Sequence, residues 1–186
     1  MKKLIAAMNM TLDGFCDHTA GIADEELHQH YADLLKTADA ILYGRVTYQL
    51  MEYWRSLLEN PTGEKAMDDF ALVMDRVPKI VFSRTLKALD WDSARLATKS
   101  LEDEVAELKN SGGDENKNIY VGSPGLIAAL TQSGLIEEYQ ICIHPFILGS
   151  GLTLFKNISQ AIPLKLQGSK TFNSGAIILY YQRIHK

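Results

Sequence analysis

A chain of 186 residues, 46% hydrophobic and 23% charged, has an ordinary globular composition and is long enough to bury a core without disulfide or metal staples. Its formal net charge of -4 speaks against nucleic acid or an anionic membrane surface as a partner, because both call for a basic face. Cys16 and Cys142 form no Cys-x-x-Cys pair, so no metal site is expected and the thiols suit a reducing, cytoplasmic setting.

The first apolar run, Lys3 to Met10, is far shorter than the roughly 18–20 residues of a membrane span and stops before Asp13-Gly14. It reads as a strand buried on both faces. Asp24-Glu25-Glu26 then place negative charge at the head of a helix, where the backbone dipole favours it, and Leu27, Tyr31, Leu34 and Leu35 form that helix's apolar side. Ala40 to Tyr43 is a short strand running into Gly44-Arg45, after which Thr47, Leu50, Met51 and Trp54 recur at helical spacing. Pro61-Thr62-Gly63 breaks the chain before a helix over Ala66 to Val73, and Lys79 to Phe82 is a third strand ending at Ser83-Arg84.

Ser100 with Asp103 three residues on resembles a capping box. It opens a helix that carries Leu101, Val105 and Leu108 and closes at Ser111-Gly112-Gly113-Asp114. Asn118 to Val121 is a fourth strand, followed by Gly122-Ser123-Pro124 and a helix with Leu126, Ile127 and Leu130. Tyr139 to Ile143 is a fifth strand. Leu164 to Phe172 and Ala176 to Ile184 flank Asn173-Ser174-Gly175, the pattern of a hairpin. The alternation followed by a hairpin predicts one α/β domain over residues 1–186, with a mixed, mostly parallel sheet, helices on both faces and antiparallel strands at the C-terminal edge.

Ligands of open parallel sheets gather where strands end, and three strand ends carry groups suited to phosphate. At Gly122-Ser123-Pro124-Gly125, Ser123 is a good N-cap and Pro124 fits the first helical position. The small residues there let a pyrophosphate approach a helix N-terminus. The same turn also serves as a plain strand-to-helix connection. Gly44-Arg45-Val46-Thr47 offers a guanidinium and a hydroxyl, or equally an exposed Arg on a first helical turn. Ser83-Arg84-Thr85 offers a second Arg, the usual means of preferring NADPH over NADH.

Read together, Met10-Thr11-Leu12-Asp13-Gly14-Phe15, Leu42-Tyr43-Gly44-Arg45-Val46-Thr47-Tyr48 and Ile80-Val81-Phe82-Ser83-Arg84-Thr85-Leu86 resemble the C-terminal reductase domain of bacterial deaminase-reductases of riboflavin synthesis. Val121-Gly122-Ser123-Pro124, Gly134-Leu135-Ile136-Glu137-Glu138-Tyr139 and Pro145-Phe146-Ile147-Leu148-Gly149-Ser150-Gly151 continue the likeness, which runs from about Leu4 to Phe155. The resemblance implies a three-layer dihydrofolate-reductase-like fold, an NADPH cofactor and a homodimer. It also implies hydride transfer to a small heterocycle, as in 5-amino-6-(5-phosphoribosylamino)uracil reduction. By the same likeness Arg45, Thr47, Ser83 and Arg84 surround the phosphates, Gly122, Ser123, Gly125 and Leu126 lie along the pyrophosphate with Gly44 and Val121 beside them, and the nicotinamide sits near Ala7, Leu12 and Asp13.

The chain carries no His/Cys zinc motif, so no deaminase step is expected. Dihydrofolate reductases use a carboxylate early in the first helix; the matching stretch here, Asp24-Glu25-Glu26-Leu27-His28, aligns nearer His28 than any acid. A dihydrofolate reductase and a non-catalytic NADPH-binding dimer therefore stand as alternatives. Asp13 is the candidate polar group at the substrate end, or else a turn residue before Gly14. Tyr53 and Trp54 are candidates to wall the pocket, or else core aromatics. Gly149 allows a loop close to substrate, and His28 and His144 are lone imidazoles that read first as structural.

Overall fold

A computed structural model describes residues 2–19, 21, 23–112 and 114–184. In chain order the elements are β1 (Leu4–Thr11), α1 (Glu25–Lys36), β2 (Ala38–Gly44), α2 (Arg45–Met51), α3 (Tyr53–Glu59), α4 (Lys65–Arg76), β3 (Lys79–Phe82), β4 (Ala94–Leu96), α5 (Leu101–Asn110), β5 (Asn118–Val121), α6 (Pro124–Gln132), β6 (Glu138–His144), β7 (Leu164–Thr171) and β8 (Ile177–Arg183). The strands form one sheet in the order β4-β3-β2-β5-β1-β6-β8-β7. From β4 to β6 every neighbour pair is parallel, whereas β8 runs antiparallel to both β6 and β7.

Side-chain alternation divides the sheet's surroundings into two layers. Leu4 and Ala6 of β1, Leu42 of β2 and Val121 of β5 pack with Val105 of α5 and Ile127 and Leu130 of α6 on one face. Ile5, Ile41, Tyr43, Val81 and Tyr120 point the other way, against Ala32 and Leu35 of α1, Tyr48 of α2, and Phe70 and Met74 of α4. The helix heads follow local chemistry. Asp24 caps α1 by accepting the Leu27 N–H at 2.8 Å, and Ser100 caps α5 by accepting the Asp103 N–H at 3.1 Å. The hairpin closes at Phe172–Ala176, with Gly175 in the left-handed region at φ 83°.

Three expectations need correction. The first strand is not buried on both faces along its length: Leu4, Ile5 and Ala6 are buried, but Ala7 is half-buried and Asn9 exposed. The strand's carboxyl half is covered less evenly, with only Thr11 fully buried. Ala94–Leu96 is an additional edge strand beside β3; three residues are too few to show a period, and Tyr139–Ile143 accordingly lies in the sixth strand, not the fifth. The helical pattern from Thr47 to Trp54 divides at Glu52 into α2 and α3. Gly113, in the turn expected after α5, lies outside the described residues.

Two substitutions separate local from tertiary stabilisation. Ser100→Ala removes one cap and is expected to cost about 1 kcal/mol, whereas Leu42→Ala, at a fully buried position of β2, is expected to cost about 2–5 kcal/mol through lost contact and the cavity left behind. Urea unfolding of the two variants beside the parent protein checks both the values and their order.

Candidate functional site

Because β3, β2, β5, β1 and β6 are parallel neighbours, their carboxyl ends emerge along one margin of the sheet. Gly44 is the register partner of Phe82, and Val121 is the partner of both Leu42 and Ala6. The exits Gly44-Arg45, Ser83-Arg84 and Gly122-Ser123 therefore leave from adjacent strands, separated by about 5 Å per strand. A direct bond joins two of them: the Ser123 hydroxyl oxygen accepts the Gly44 N–H at 2.8 Å.

That bond corrects one sequence expectation. Ser123 occupies the N-cap position of α6, and Pro124 follows at the first helical position, yet the Ser123 side chain makes no cap bond to its own helix. Its oxygen accepts from Gly44 instead, and among the described residues no side chain accepts the first-turn N–H groups of α6, which stand at the positive end of the helix dipole. Gly122 is held against the core: a Cβ there would stand 3.1 Å from the Tyr43 ring, a buried side chain with little room to yield. At Gly125 a Cβ would meet nothing within 4 Å, so the main chain beside the helix end is open to close approach.

The two arginines of this margin make no ion pair among the described residues. Arg45 is exposed and, among those residues, bonds only the Gln49 side chain, at 3.2 Å. Arg84 is exposed too, and among the described residues no hydrogen bond or ion pair engages its side chain. The Ser83 oxygen accepts the N–H groups of Thr85 and Leu86 at 3.1 and 3.0 Å, which shapes the turn that presents Arg84. Thr47 is half-buried on the first turn of α2, Leu126 is half-buried against the α6 core, and Val121 is fully buried, so Val121 offers the margin only its main chain.

Further along the margin, at the end of β1, Thr11 is buried, and its hydroxyl donates to the Asp13 carboxylate at 2.6 Å while accepting the Phe15 N–H. The same carboxylate accepts the Gly149 N–H at 2.7 Å and the Leu148 N–H at 3.1 Å. The Thr11 hydroxyl foremost, then the Gly149 amide, hold the Asp13 carboxyl down at about 2. Asp13 thus ties the β1 exit to the loop after β6, which Leu12 reinforces by donating its N–H to the Phe146 carbonyl at 2.8 Å. Gly149 sits at φ 80°, where a side chain would be strained. Leu12 itself is 62% exposed.

On the α1 face, Ala7 is half-buried and Asn9 exposed beside these exits. The Asn9 carbonyl oxygen accepts the Tyr31 hydroxyl at 2.7 Å and lies 3.2 Å from Nε2 of His144, which is itself 3.7 Å from the Cys142 sulfur. His28, one turn before Tyr31 on α1, meets Trp54 edge-on at 5.7 Å; Trp54 in turn packs on Phe70 at 4.5 Å, with Tyr53 more than half exposed beside it. Burial lowers the pKa of both His28 and His144, and pushes the Cys142 thiol up to about 11. The Asn9–Tyr31–His144 network was missed by sequence reasoning. Its one signal was an asparagine inside an otherwise apolar central strand.

A hollow of about 590 Å3, lined by Arg55, Glu59, Asp75, Arg76, Trp91 and Ser93, lies at the opposite margin. Asp75 and Arg76 end α4 just before β3, and Ser93 immediately precedes β4. The amino ends of parallel strands are not where such sheets hold ligands, and the hollow is wide open to solvent.

Solved structures share this architecture. A putative riboflavin biosynthesis protein from Shewanella sp. PV-4 superposes with a TM-score of 0.73 at 19% identity, covering 98% of this chain and 99% of its own. RibD of Acinetobacter baumannii superposes with a TM-score of 0.67 at 12% identity, over 100% of this chain but only 59% of that longer protein. The arrangement is a dihydrofolate-reductase-like α/β fold. By sequence, the chain belongs to the RibD C-terminal domain family, which matches residues 2–178. The uncharacterized protein YyaP of Bacillus subtilis is 33% identical over 184 residues, covering 97% of this chain and 94% of that protein.

The Asp13 anchor yields an expectation about pH. A carboxyl lowered from 3.8 to about 2 contributes stability that is fully present above its unfolded value and is lost as the pH falls through about 2. In amide exchange at pH 7, the Leu148 and Gly149 N–H groups of the parent are expected to exchange roughly tenfold or more slowly than in Asp13→Ala, for the loss of charge-assisted bonds. Equal rates would show that the carboxylate does not hold the loop.

Proposed function

We propose that this protein is an NADPH-dependent reductase that delivers hydride to a small heterocyclic acceptor. The observation that carries this is the Ser123–Gly44 bond. By binding two strand exits together it leaves the head of α6 uncapped and brings it beside the unpaired Arg45. The ribose phosphate that distinguishes NADPH from NADH carries nearly two negative charges, and a guanidinium grips such a group through a fork of N–H donors.

In this reading Gly122, Ser123, Gly125 and Leu126 line the pyrophosphate through the α6 head, with the Val121 main chain behind them. Gly44, Arg45, Thr47, Ser83 and Arg84 take the phosphates, and Ala7, Leu12 and Asp13 border the nicotinamide. The bound cofactor supplies the hydride at nicotinamide C4. The chain's own work is alignment and exclusion of water. Asp13, already bonded to three donors, serves by holding the loop after β6 in place, with Gly149 at its bend. Tyr53 and Trp54 supply the aromatic side of the substrate cleft, with His28 beside them. The family supports a reductase of this kind, and the names of the Shewanella and Acinetobacter proteins favour a substrate like the ribosylaminouracil of riboflavin synthesis.

The rest of the reading is a single cytoplasmic domain over residues 1–186 that works as a homodimer. Exposed Leu12, Ile147, Leu152 and Phe155 around the pinned loop favour a second copy as the cover for that surface. A dihydrofolate reductase draws less support, because the Asp24 carboxylate at the head of α1 is occupied by the Leu27 and Ser174 N–H groups. A binding module without turnover is separated from a reductase by whether NADPH is oxidised.

Titration of the intrinsic fluorescence with NADPH and NADH tests the reading. NADPH is expected to bind at least about tenfold more tightly. Arg45→Ala and Arg84→Ala are expected to weaken NADPH by about tenfold or more while changing NADH less. Equal affinity of the parent for the two cofactors would defeat the proposal.

A further inference from the structure

Asn9 is a polar side chain at the exit of β1 whose bonding is half complete among the described residues. It sits in β1, between β5 and β6 in the sheet, yet it is exposed. It lies about 7 Å along the strand from Ala7, whose carbonyl borders Gly122 at the α6 head. The carbonyl oxygen of Asn9 accepts the Tyr31 hydroxyl at 2.7 Å and faces His144 Nε2 at 3.2 Å. Its amide nitrogen bonds nothing among the described residues, so both its N–H groups are free.

His144 decides which way the amide turns. The imidazole is 97% buried, being 3% exposed, and neutral, since burial lowers its pKa. It therefore carries one N–H and one bare nitrogen. Among the described residues Nδ1 has no partner, and it packs against Gly21, where a Cβ would stand 3.3 Å away. Were the Asn9 amide reversed, Nε2 would be the acceptor and the proton would move to Nδ1, a buried donor with no acceptor. Buried donors without acceptors are rarer and costlier than acceptors left short of a partner. The favoured state has Nε2–H donating to the Asn9 oxygen and Nδ1 bare. Tyr31 and His144 then act as positioning residues that fix the Asn9 oxygen inward and aim its NH2 group into the cleft.

We infer that Asn9 is the specificity-determining donor of the substrate site, and that it selects a flat acceptor-edged ligand, one presenting a carbonyl oxygen to the Asn9 amide. This rests on the reductase reading and goes beyond it by assigning the residue that chooses the substrate. A ligand presenting only N–H groups at that edge, such as an amidinium, meets donor against donor and is rejected. The groups facing the network are the Tyr31 hydroxyl from α1, the Cys142 thiol from β6, the Tyr180 hydroxyl from β8, the Gly21 main chain and, beyond the thiol, the Asp24 carboxylate at the head of α1. Among the described residues no charged group bonds the Asn9 amide, so the selection is made by hydrogen-bond polarity at that amide.

Calorimetric titration of the protein saturated with NADP+ tests this, with 5,6-diaminouracil as the carbonyl-edged probe and benzamidinium as the N–H-edged one. The uracil is expected to bind about tenfold or more tightly than benzamidinium. Asn9→Ala is expected to lose about tenfold for the uracil, and Asn9→Asp, which presents an acceptor, to reverse the preference; both are expected to bind NADP+ like the parent, which shows that they fold. If NADP+ binds but the uracil does not, or if parent and variants bind the two probes alike, the assignment of Asn9 is overturned while the reductase reading stands. If the parent binds no NADP+, the reductase reading fails and takes this one with it.

Discussion

Six neighbouring strands that run the same way deliver their carboxyl ends to one margin of the sheet, and the helices that follow them must start there. Helix heads bring unsatisfied N–H groups and partial positive charge, so the margin is electropositive before any side chain is considered. The Ser123–Gly44 bond adds to this. A hydroxyl that would ordinarily quiet one helix head is diverted to the next strand's exit. It ties β2 to β5 and leaves the head of α6 without its side-chain cap. Without parallel order in the sheet the two exits would not be neighbours, and the bond could not form.

The two ends of the margin differ in their electrostatics. Arg45 and Arg84 make the β2–β3 end cationic and open to solvent. At the β1–β6 end the ionisable groups are either kept neutral or already engaged: burial lowers the imidazole pKa values of His28 and His144 and raises that of the Cys142 thiol, while Asp13 is ionised but bonded to Thr11, Leu148 and Gly149. A long anionic ligand would therefore be held by charge at one end and read by neutral hydrogen bonds at the other. That division suits a phosphorylated cofactor meeting an uncharged ring, since in a sheltered cleft an unmatched polar group costs more than it does in water.

Much of the frame was legible because it is written in short-range chemistry. Lys79–Phe82 and Asn118–Val121 are apolar runs bounded by turn residues, and their limits coincide with β3 and β5. Ser100 and Asp103 mark the head of α5 by the bond they make. Gly44-Arg45, Ser83-Arg84 and Gly122-Ser123 could be picked out as strand exits because glycine, serine and arginine after an apolar run have few other uses. Ala94–Leu96 escaped notice because an edge strand of three residues owes its existence to β3 beside it, and no property of Ala-Arg-Leu alone demands it.

By itself the amino-acid sequence determined the order and kind of the main elements, the mostly parallel sheet with its terminal hairpin, and which strand ends carry arginine, serine and glycine, because each depends on residues within a turn or a strand of one another. Only the tertiary structure decided which partners those groups meet. It turned Ser123 from a cap of its own helix into a clasp on Gly44, 79 positions away. It left Asn9 of β1 exposed, and it brought His144 to Asn9 across 135 positions. Contacts at such separations depend on strand order and register, and the chain's local preferences carry no record of either.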